Sequence, residues 1–108
     1  MSVKASIVIP TYNTREKLAS NLMALESQTE ESFEVIVVDD GSADSTLQYL
    51  RDFKGATRLR FASHVKNRGR AAARNTGVKL AEGEILILLD SDMVVGSDFV
   101  QTHLSLHK

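Results

Sequence analysis

The sequence predicts an α/β fold built on a mostly parallel, Rossmann-like sheet with helices on both faces. Short apolar runs typical of strands alternate along the chain with segments whose apolar residues recur at helical spacing. Each strand is separated from the next by enough residues to form a helix, as a parallel connection requires. This alternation favours right-handed crossovers and predicts ligand binding at the carboxyl ends of the strands, where the winding direction reverses.

The first strand and helix are expected near the start of the chain. Residues 6–10 (SIVIP) are a short β-branched run closed by the one proline of the chain, which predicts a buried strand ending at Pro10. A loop follows, in which Asn13 or Thr14 can cap a helix that begins near Arg15. The apolar positions of this helix are Leu18, Leu22 and Leu25, with Met23 as a further candidate.

A second strand and helix follow in the same order. Residues 33–38 have a largely apolar body, and this strand ends in two acids, Asp39 and Asp40. A short polar turn then leads into a helix that Ser42 or Asp44 can cap. The buried stripe of that helix is expected to contain Leu47, Leu50 and Phe53.

The third strand is predicted at a sheet edge. Residues 58–63 alternate charged and apolar side chains, which indicates that one face is less covered. A basic loop over residues 64–69 then opens a third helix over residues 70–80, which is rich in alanine. Gly77 lies inside this helix, and the absence of a Cβ there allows the helix to approach the sheet closely.

The fourth strand carries the acids that suggest a metal site. Residues 85–89 are five consecutive branched apolar residues, which predicts a strand covered on both faces. Asp90 and Asp92 follow and project to the same side of an extended segment. A divalent cation, magnesium or manganese, would relieve their repulsion, although an isolated Asp-x-Asp is also typical of an ordinary strand end. A last helix is predicted to start at Ser97 or Asp98.

Length and composition exclude several classes of protein. The 108 residues fit one domain, and a formal net charge of −1 gives no overall field that would recruit nucleic acid or an anionic membrane. The sequence has no cysteine, which excludes disulfides, thiol nucleophiles and cysteine-ligated zinc. It shows neither a signal peptide nor a membrane span. We expect a location in the cytoplasm, or on the cytoplasmic face of a membrane within a longer parent protein.

Polar clusters follow three of the predicted strands, and together they suit a nucleotide with a metal. Tyr12 offers an aromatic face for a base, and Asp39 or Asp40 can accept a hydrogen bond from a base or a sugar hydroxyl. Positive charge for a diphosphate comes from the start of the third helix. The clusters are Thr11, Tyr12 and Asn13; Asp39 and Asp40; and Asp90, Ser91 and Asp92, with Arg68, Arg70 and Arg74 nearby.

Other nucleotide-binding classes lack their signatures in this sequence. No glycine-rich loop ending in Gly-Lys-Ser/Thr and no Gly-x-Gly-x-x-Gly follows the first strand, so P-loop and dinucleotide-binding interpretations fail. The Asp39–Asp40 pair follows the second strand and lacks a suitable terminal-strand lysine, which argues against a receiver domain. A nucleotidyltransferase would show a glycine-rich basic segment after the first strand, and residues 11–14 (TYNT) are not such a segment. Three histidines lack metal-ligand spacing and are assigned no role: His64, His103 and His107.

The order and spacing of these motifs resemble the nucleotide-binding half of a family 2 glycosyltransferase with the GT-A fold. Each motif is weak to moderate alone, but the ordered set is highly specific and covers nearly the whole chain. The motifs are SIVIPTYN (6–13), SQT (27–29), VVDDGSAD (37–44), NRGRAAARN (67–75), and AEGE (81–84) followed by DSD (90–92).

The resemblance implies a nucleoside-diphosphate sugar donor, usually a uridine one, and a divalent metal, Mn²⁺ or Mg²⁺. It also implies inverting transfer of the sugar to an acceptor hydroxyl, while the net charge gives no reason to expect a nucleic-acid partner. The implied nucleotide-binding residues are Pro10, Thr11, Tyr12 and Asn13 along the nucleoside, Asp40 or Asp39 at the base, Arg70 or Arg74 near the nucleotide, and Asp90 with Ser91 near the ribose. Asp92 would coordinate the metal, with Asp90 approaching the ribose or metal.

The resemblance further implies that residues 1–108 are the nucleotide-sugar-binding part of a truncated domain. In this family the general base and the acceptor-binding residues come from a later part, which we expect beyond Lys108, so no catalytic base is assigned. We also expect an uncovered sheet edge or apolar patch beside residues 85–89, which self-association would cover. The alternative function is a non-catalytic nucleotide-binding or scaffolding domain.

Overall fold

The computed structural model describes residues 3–28, 32–55, 57–91, 96 and 99–106. Within these ranges strands and helices alternate in the predicted order. The elements are β1 (Ala5–Thr11), α1 (Arg15–Glu26), β2 (Phe33–Asp39), α2 (Thr46–Arg51), β3 (Leu59–Ser63), α3 (Arg70–Leu80), β4 (Ile85–Leu88) and α4 (Phe99–Leu106). Residues 97 and 98, predicted to start the last helix, lie outside the described residues.

The described strands form one parallel sheet in the order β3-β2-β1-β4. β1 pairs with β2 from Ala5↔Phe33 to Thr11↔Asp39, and β3 lies at the sheet edge, as predicted. The chain adds β2 and β3 on one side of β1 and then returns to place β4 on the other side. The winding direction therefore reverses between β1 and β4, and a crevice is expected at their carboxyl ends.

The sheet buries apolar side chains on both faces. On one face, the leucines of α1 and residues of α2 and α4 pack against alternate strand residues such as Ile7 and Val35. On the other face, α3 packs on β1 and β2, where Ala73 contacts Ile36 and Val38. The three leucines predicted for α1 are buried, but Met23 is 73% exposed because it lies on the outer side of the helix.

Gly77 permits the close packing of α3 that the sequence suggests. A Cβ at this position would lie 2.3 Å from Cγ1 of Val8, which is fully buried in β1. Real Cβ atoms do not approach a neighbouring carbon so closely, so a larger residue here would displace the helix from the sheet. The close approach keeps the start of α3 near the end of β1.

β1 does not end at Pro10, as predicted, but continues to Thr11. Successive residues of a parallel strand direct their backbone groups to opposite neighbours, and the Val8 carbonyl accepts from Leu89 on the β4 side. Pro10 therefore faces the same side, beyond the last residue of β4 at Leu88. The next bond of this ladder would run from the backbone nitrogen of residue 10 to the Leu89 carbonyl, and proline cannot donate it. The pairing of β1 with β4 therefore stops there, while its pairing with β2 continues to Thr11.

The prediction that the fourth strand is covered on both faces is wrong. Ile87 and Leu89 are buried, but Leu86 is 45% exposed and Leu88 is 50% exposed. The reason is that α3 packs on β1 and β2, so the corresponding face of β4 is left open. Within the described ranges β4 is also the terminal strand, which agrees with the expected uncovered edge and apolar patch.

The predicted capping residues have other partners. Thr14 occupies the N-cap position of α1 without a capping bond, and Ser45, rather than Ser42 or Asp44, precedes α2. Asp44 accepts a hydrogen bond from the backbone of Thr46 at 3.0 Å. In the predicted stripe of α2, Leu50 is buried, Phe53 packs partly against the core and Leu47 is half-buried.

None of the described helices combines the length and apolarity needed to cross a bilayer.

Candidate nucleotide-binding site

A cavity of about 360 Å³ opens at the carboxyl ends of β1 and β4. It lies at the reversal of winding, and it brings together most of the predicted site residues from loops that are distant in sequence. Its lining residues are Pro10, Thr11, Tyr12, Thr14, Lys17, Asp40, Asn67, Gly69, Arg70, Ala73, Asp90 and Ser91. The predicted residues Asn13, Asp39 and Arg74 do not line this cavity, and Asp92 lies outside the described residues.

The loop after β1 presents Tyr12 and is held in place by Asn13. Tyr12 is 49% exposed beside the cavity, so its ring is accessible for stacking. Asn13 has a φ of 53°, a left-handed conformation that asparagine tolerates better than most residues. Its side-chain oxygen accepts from the Ala43 backbone at 2.7 Å, and its own N–H donates to Ser42 Oγ at 2.9 Å. Asn13 thus joins the loop after β1 to the turn after β2.

The two acids at the end of β2 have different positions. Asp39 is buried and accepts a hydrogen bond from the Ser42 backbone at 3.2 Å, so it shapes the turn. Asp40 is also buried, but it reaches the cavity. The sequence left open which of the two would contact a base, and only Asp40 lies where a cavity ligand could reach it.

The carboxylate of Asp40 accepts four hydrogen bonds from the basic loop that precedes α3. Oδ1 accepts from the His64 ring at 2.7 Å and from the Arg68 N–H at 2.9 Å. Oδ2 accepts from the Asn67 side chain at 3.0 Å and from the Gly69 N–H at 2.8 Å. A carboxylate offers about four acceptor positions, and these four bonds occupy them. Asp40 therefore organises this loop in addition to lining the cavity.

These bonds keep Asp40 ionised. Burial alone would raise the pKa of Asp40, but the hydrogen bonds from the Arg68 backbone and the His64 ring outweigh that effect and lower the pKa. Since an ionised carboxylate can only accept, the His64 nitrogen Nδ1 must carry a proton and donate to it. The site therefore contains a buried negative charge whose donors come from the loop that precedes α3.

His64 is a site residue that sequence reasoning missed. Its side chain is 7% exposed, and its second nitrogen, Nε2, lies 2.9 Å from the Thr76 hydroxyl on α3. The partners of His64 are far from it in sequence and follow no metal-ligand spacing, so no local pattern could reveal them. Asn67 was found only as part of a motif, and Lys17, which lines the cavity, was not singled out.

The arginines of α3 lie on the acidic side of the cavity. Arg74 Nη2 is 3.3 Å from Asp90 Oδ1, and Arg70 Nη1 is 3.9 Å from Asp90 Oδ2. Arg70 is 67% exposed and belongs to the first turn of α3, whose free N–H groups also favour an anion. Among the described residues, the buried Nε of Arg74 has no hydrogen-bond partner. The site therefore has donors that an anionic ligand can use.

A sequence model described as Glycosyl transferase family 2 matches residues 6–108. The chain belongs to this family. The prediction from the ordered motifs is therefore confirmed.

Relatives and solved structures agree with this assignment. The family 2 chain is 44% identical over 107 residues to the uncharacterized glycosyltransferase YfnE of Bacillus subtilis (strain 168), covering 98% of the chain and 27% of YfnE. It matches S. aureus TarS 1–349 in complex with UDP at 32% identity and a TM-score of 0.87, covering 95% of the chain and 31% of TarS 1–349. The predicted GT-A fold is thus confirmed.

A third match is a mannosyltransferase, PcManGT from Pyrobaculum calidifontis, in complex with GDP-Man and Mn²⁺. The identity is 29% and the TM-score 0.77, over 85% of the family 2 chain and 28% of PcManGT. The chain therefore spans about a quarter to a third of the length of these three proteins.

Of the two carboxylates predicted to bind a metal, the described residues of the family 2 chain include Asp90. They contain no group of three or more His, Cys, Asp or Glu side chains that could hold a metal ion. Asp90 is the predicted metal ligand that can be located, and its carboxylate lies at the cavity beside Ser91. Mg²⁺ is usually bound by one or two carboxylates together with substrate phosphates, so this donor set fits a metal that arrives with a diphosphate.

Proposed function

We propose that this chain is the donor-binding part of a glycosyltransferase and binds a nucleoside-diphosphate sugar, with UDP as the nucleotide and Mn²⁺ or Mg²⁺ as the metal. The observation that carries this proposal is the cavity at the reversal of winding. It places an aromatic face at Tyr12, a cation at Arg70 and a carboxylate at Asp90 around one space. The complexes of TarS with UDP and of PcManGT with GDP-Man and Mn²⁺ support it.

The proposed roles follow from these positions. Tyr12 stacks on the base, and Asp40 accepts from the base when one of its loop donors gives way. Arg70 and Arg74 move from Asp90 towards the diphosphate, since their ion pairs with Asp90 are partly exposed and cost little to exchange. Asp90 and Asp92 hold the metal, which would offset charge on the departing diphosphate. Pro10, Thr11 and Asn13 position the loop after β1, which we call the nucleoside loop. Asp39 shapes the neighbouring turn after β2. Ser91 positions Asp90 and Asp92, which we call the acid pair.

Inverting transfer to an acceptor hydroxyl is proposed for a longer protein of which this chain is one part. We assign no general base within residues 1–108 and place it, with the acceptor site, outside them. The proposed location is the cytoplasm or the cytoplasmic face of a membrane, with which the cysteine-free sequence is compatible. A transfer assay on the longer protein would distinguish this function from a non-catalytic nucleotide-binding domain.

Calorimetric titration tests the donor site directly. We expect UDP to bind more tightly than GDP or TDP, and to bind more tightly with Mn²⁺ than without it. Asp92→Ala is expected to lose the metal-dependent part of the affinity, because one of two metal-binding carboxylates is removed. Asp52→Ala, which removes an exposed carboxylate at the end of α2, is the matched control and should bind as the wild type does. Equal metal-dependent binding by Asp92→Ala would refute the site.

We also propose that the open face of β4 mediates self-association with a second copy of the chain. Leu86 and Leu88 expose apolar surface on the terminal strand of the described sheet. Light scattering should show a dimer, and Leu88→Lys should shift it to a monomer because the charge opposes burial of this face. A monomeric wild type at all accessible concentrations would rule this proposal out.

A further inference from the structure

α1 and its two ends carry three polar residues that the hydrophobic pattern does not explain. Thr14 is the N-cap residue of α1, Asn21 lies inside the helix and Gln28 follows the C-cap residue; we call these three residues the row. Asn21 is 3% exposed and Gln28 is 7% exposed. Buried amides are costly unless they are hydrogen-bonded, so their partners show what the row holds.

The first two members of the row hold Ser91. The Thr14 hydroxyl lies 2.8 Å from the Ser91 hydroxyl, and the Asn21 side chain donates to the Ser91 carbonyl at 2.6 Å. Thr14 also lies 2.8 Å from the Thr11 hydroxyl at the end of β1. Ser91 is 8% exposed and lines the cavity directly after Asp90. Its side chain and its backbone are therefore both fixed from α1.

The third member holds the other end of the same segment. Gln28 donates to the Gly96 carbonyl at 2.6 Å and accepts from the Val100 N–H at 3.0 Å. The Gly96 carbonyl also accepts from the Phe99 N–H at 3.2 Å, at the start of α4. Both ends of the Gln28 amide are thus used to tie Gly96 and the first turn of α4 to the end of α1.

We propose that this row is a positioning device for the acid pair of the donor site, with Asn21 and Gln28 as its principal positioning residues. Ser91 stands between Asp90 and Asp92 in the sequence, and Gly96 follows Asp92 after three residues. Asn21 thus holds the residue that follows Asp90, and Gln28 holds Gly96, which comes after both acids in the sequence. The proposal rests on the proposed function, because it assigns the row to the binding of a metal with a nucleoside diphosphate.

The test replaces each amide by an apolar side chain of similar size. Asn21→Leu and Gln28→Met should fold, which circular dichroism checks, because both positions adjoin the apolar core. We expect their affinity for UDP with Mn²⁺ to fall about 10-fold or more, as when groups that orient metal ligands are removed. Their affinity for uridine alone, followed by NMR titration, should stay within about 2-fold of the wild type, because the nucleoside loop keeps its contacts.

Two further variants supply a second test and a control. Gln28→Glu retains an acceptor for the Val100 N–H but directs a carboxylate at the Gly96 carbonyl, so it should also lose affinity for UDP with Mn²⁺. This variant tests the proposal even if Asn21→Leu does not fold. Met23→Leu changes an exposed side chain of the same helix and should bind as the wild type does.

The outcomes separate this proposal from the proposed function. A wild type that does not bind UDP with Mn²⁺ would overturn the function itself. If the wild type binds and Asp92→Ala loses the metal-dependent part, but the α1 variants bind UDP with Mn²⁺ normally, only the positioning role is overturned. Equal losses for uridine and for UDP with Mn²⁺ in the α1 variants would overturn it too, because they would indicate general disorder of the site.

Discussion

Asp40→Asn is expected to lower the free energy of unfolding by about 2–4 kcal/mol at neutral pH. The reason is that the substitution removes the buried carboxylate charge while the N–H groups that donate to it remain. The carboxylate accepts bonds on both oxygens from the loop over residues 64–69. An amide offers one oxygen, and its NH₂ group would face N–H donors. The loss should extend to UDP binding, because the same bonds fix the loop that leads into Arg70.

The pH dependence of this effect has a defined sign. The pKa of Asp40 is lower in the folded chain than its ordinary value of 3.8. Its contribution to stability is therefore fully present above that value and is lost as the pH falls through the folded pKa. The difference between wild type and Asp40→Asn, measured by urea unfolding, should shrink below about pH 4. Asp52→Asn, at an exposed position, serves as control and should change stability by about 0.5 kcal/mol or less.

A variant within about 0.5 kcal/mol of wild type at pH 7 would contradict the organising role of Asp40. A stable Asp40→Asn that still fails to bind UDP would leave Asp40 with only the direct contact to the base that we propose.

The sequence was sufficient for the order of the elements because that order depends on local periodicity. The bounds of α3 were predicted correctly, since alanine-rich helical propensity and the preceding glycine act within a few residues. The exposure of Leu86 and Leu88 was not predictable in the same way, because it depends on where α3 packs across the sheet. An apolar run gives the same pattern whether its second face is covered or open.

The candidate site was predictable to the extent that it lies at strand ends. Parallel topology brings the ends of β1 and β4 to one edge, so Tyr12 and Asp90 could be expected to meet there. The hydrogen bond between Asp40 and His64 joins residues 24 positions apart, and no periodicity encodes it. Asn21 and Gln28 were missed for a related reason: α1 was recognised by its leucines, and the hydrogen-bond partners of these two polar residues are distant in sequence.

A second variant with a large expected effect lies at the opposite end of the sheet. Glu34 is fully buried near the start of β2, and its Oε2 accepts from the Ser6 hydroxyl at 2.6 Å and from the Glu82 N–H at 2.8 Å. Its Oε1 accepts from the Arg60 guanidinium at 2.7 Å. The cluster joins β1, β2 and β3 to the loop before β4, so it stabilises the sheet without contacting the cavity.

Glu34→Gln is expected to cost about 2–4 kcal/mol at pH 7, because an amide NH₂ must face either Arg60 or the donors from Ser6 and Glu82. Burial would raise the pKa of Glu34, but the Ser6 hydroxyl and the other donors outweigh it and lower the pKa from 4.5. The contribution is present above that value and disappears as the pH falls through the folded pKa, so wild type and variant should converge on acidification.

Urea unfolding from pH 7 to pH 3 measures this convergence, and Glu82→Gln supplies the control. Glu82 is 59% exposed and lies 3.3 Å from the same arginine, so its loss should cost at most about 1 kcal/mol. Glu34→Gln should still bind UDP with Mn²⁺ at a temperature where it is folded, whereas Asp40→Asn should not. If Glu34→Gln unfolds with the wild-type midpoint at pH 7, the buried cluster does not stabilise the sheet. If it folds but loses UDP binding, the two ends of the sheet are coupled in a way that the contacts of Glu34 do not explain.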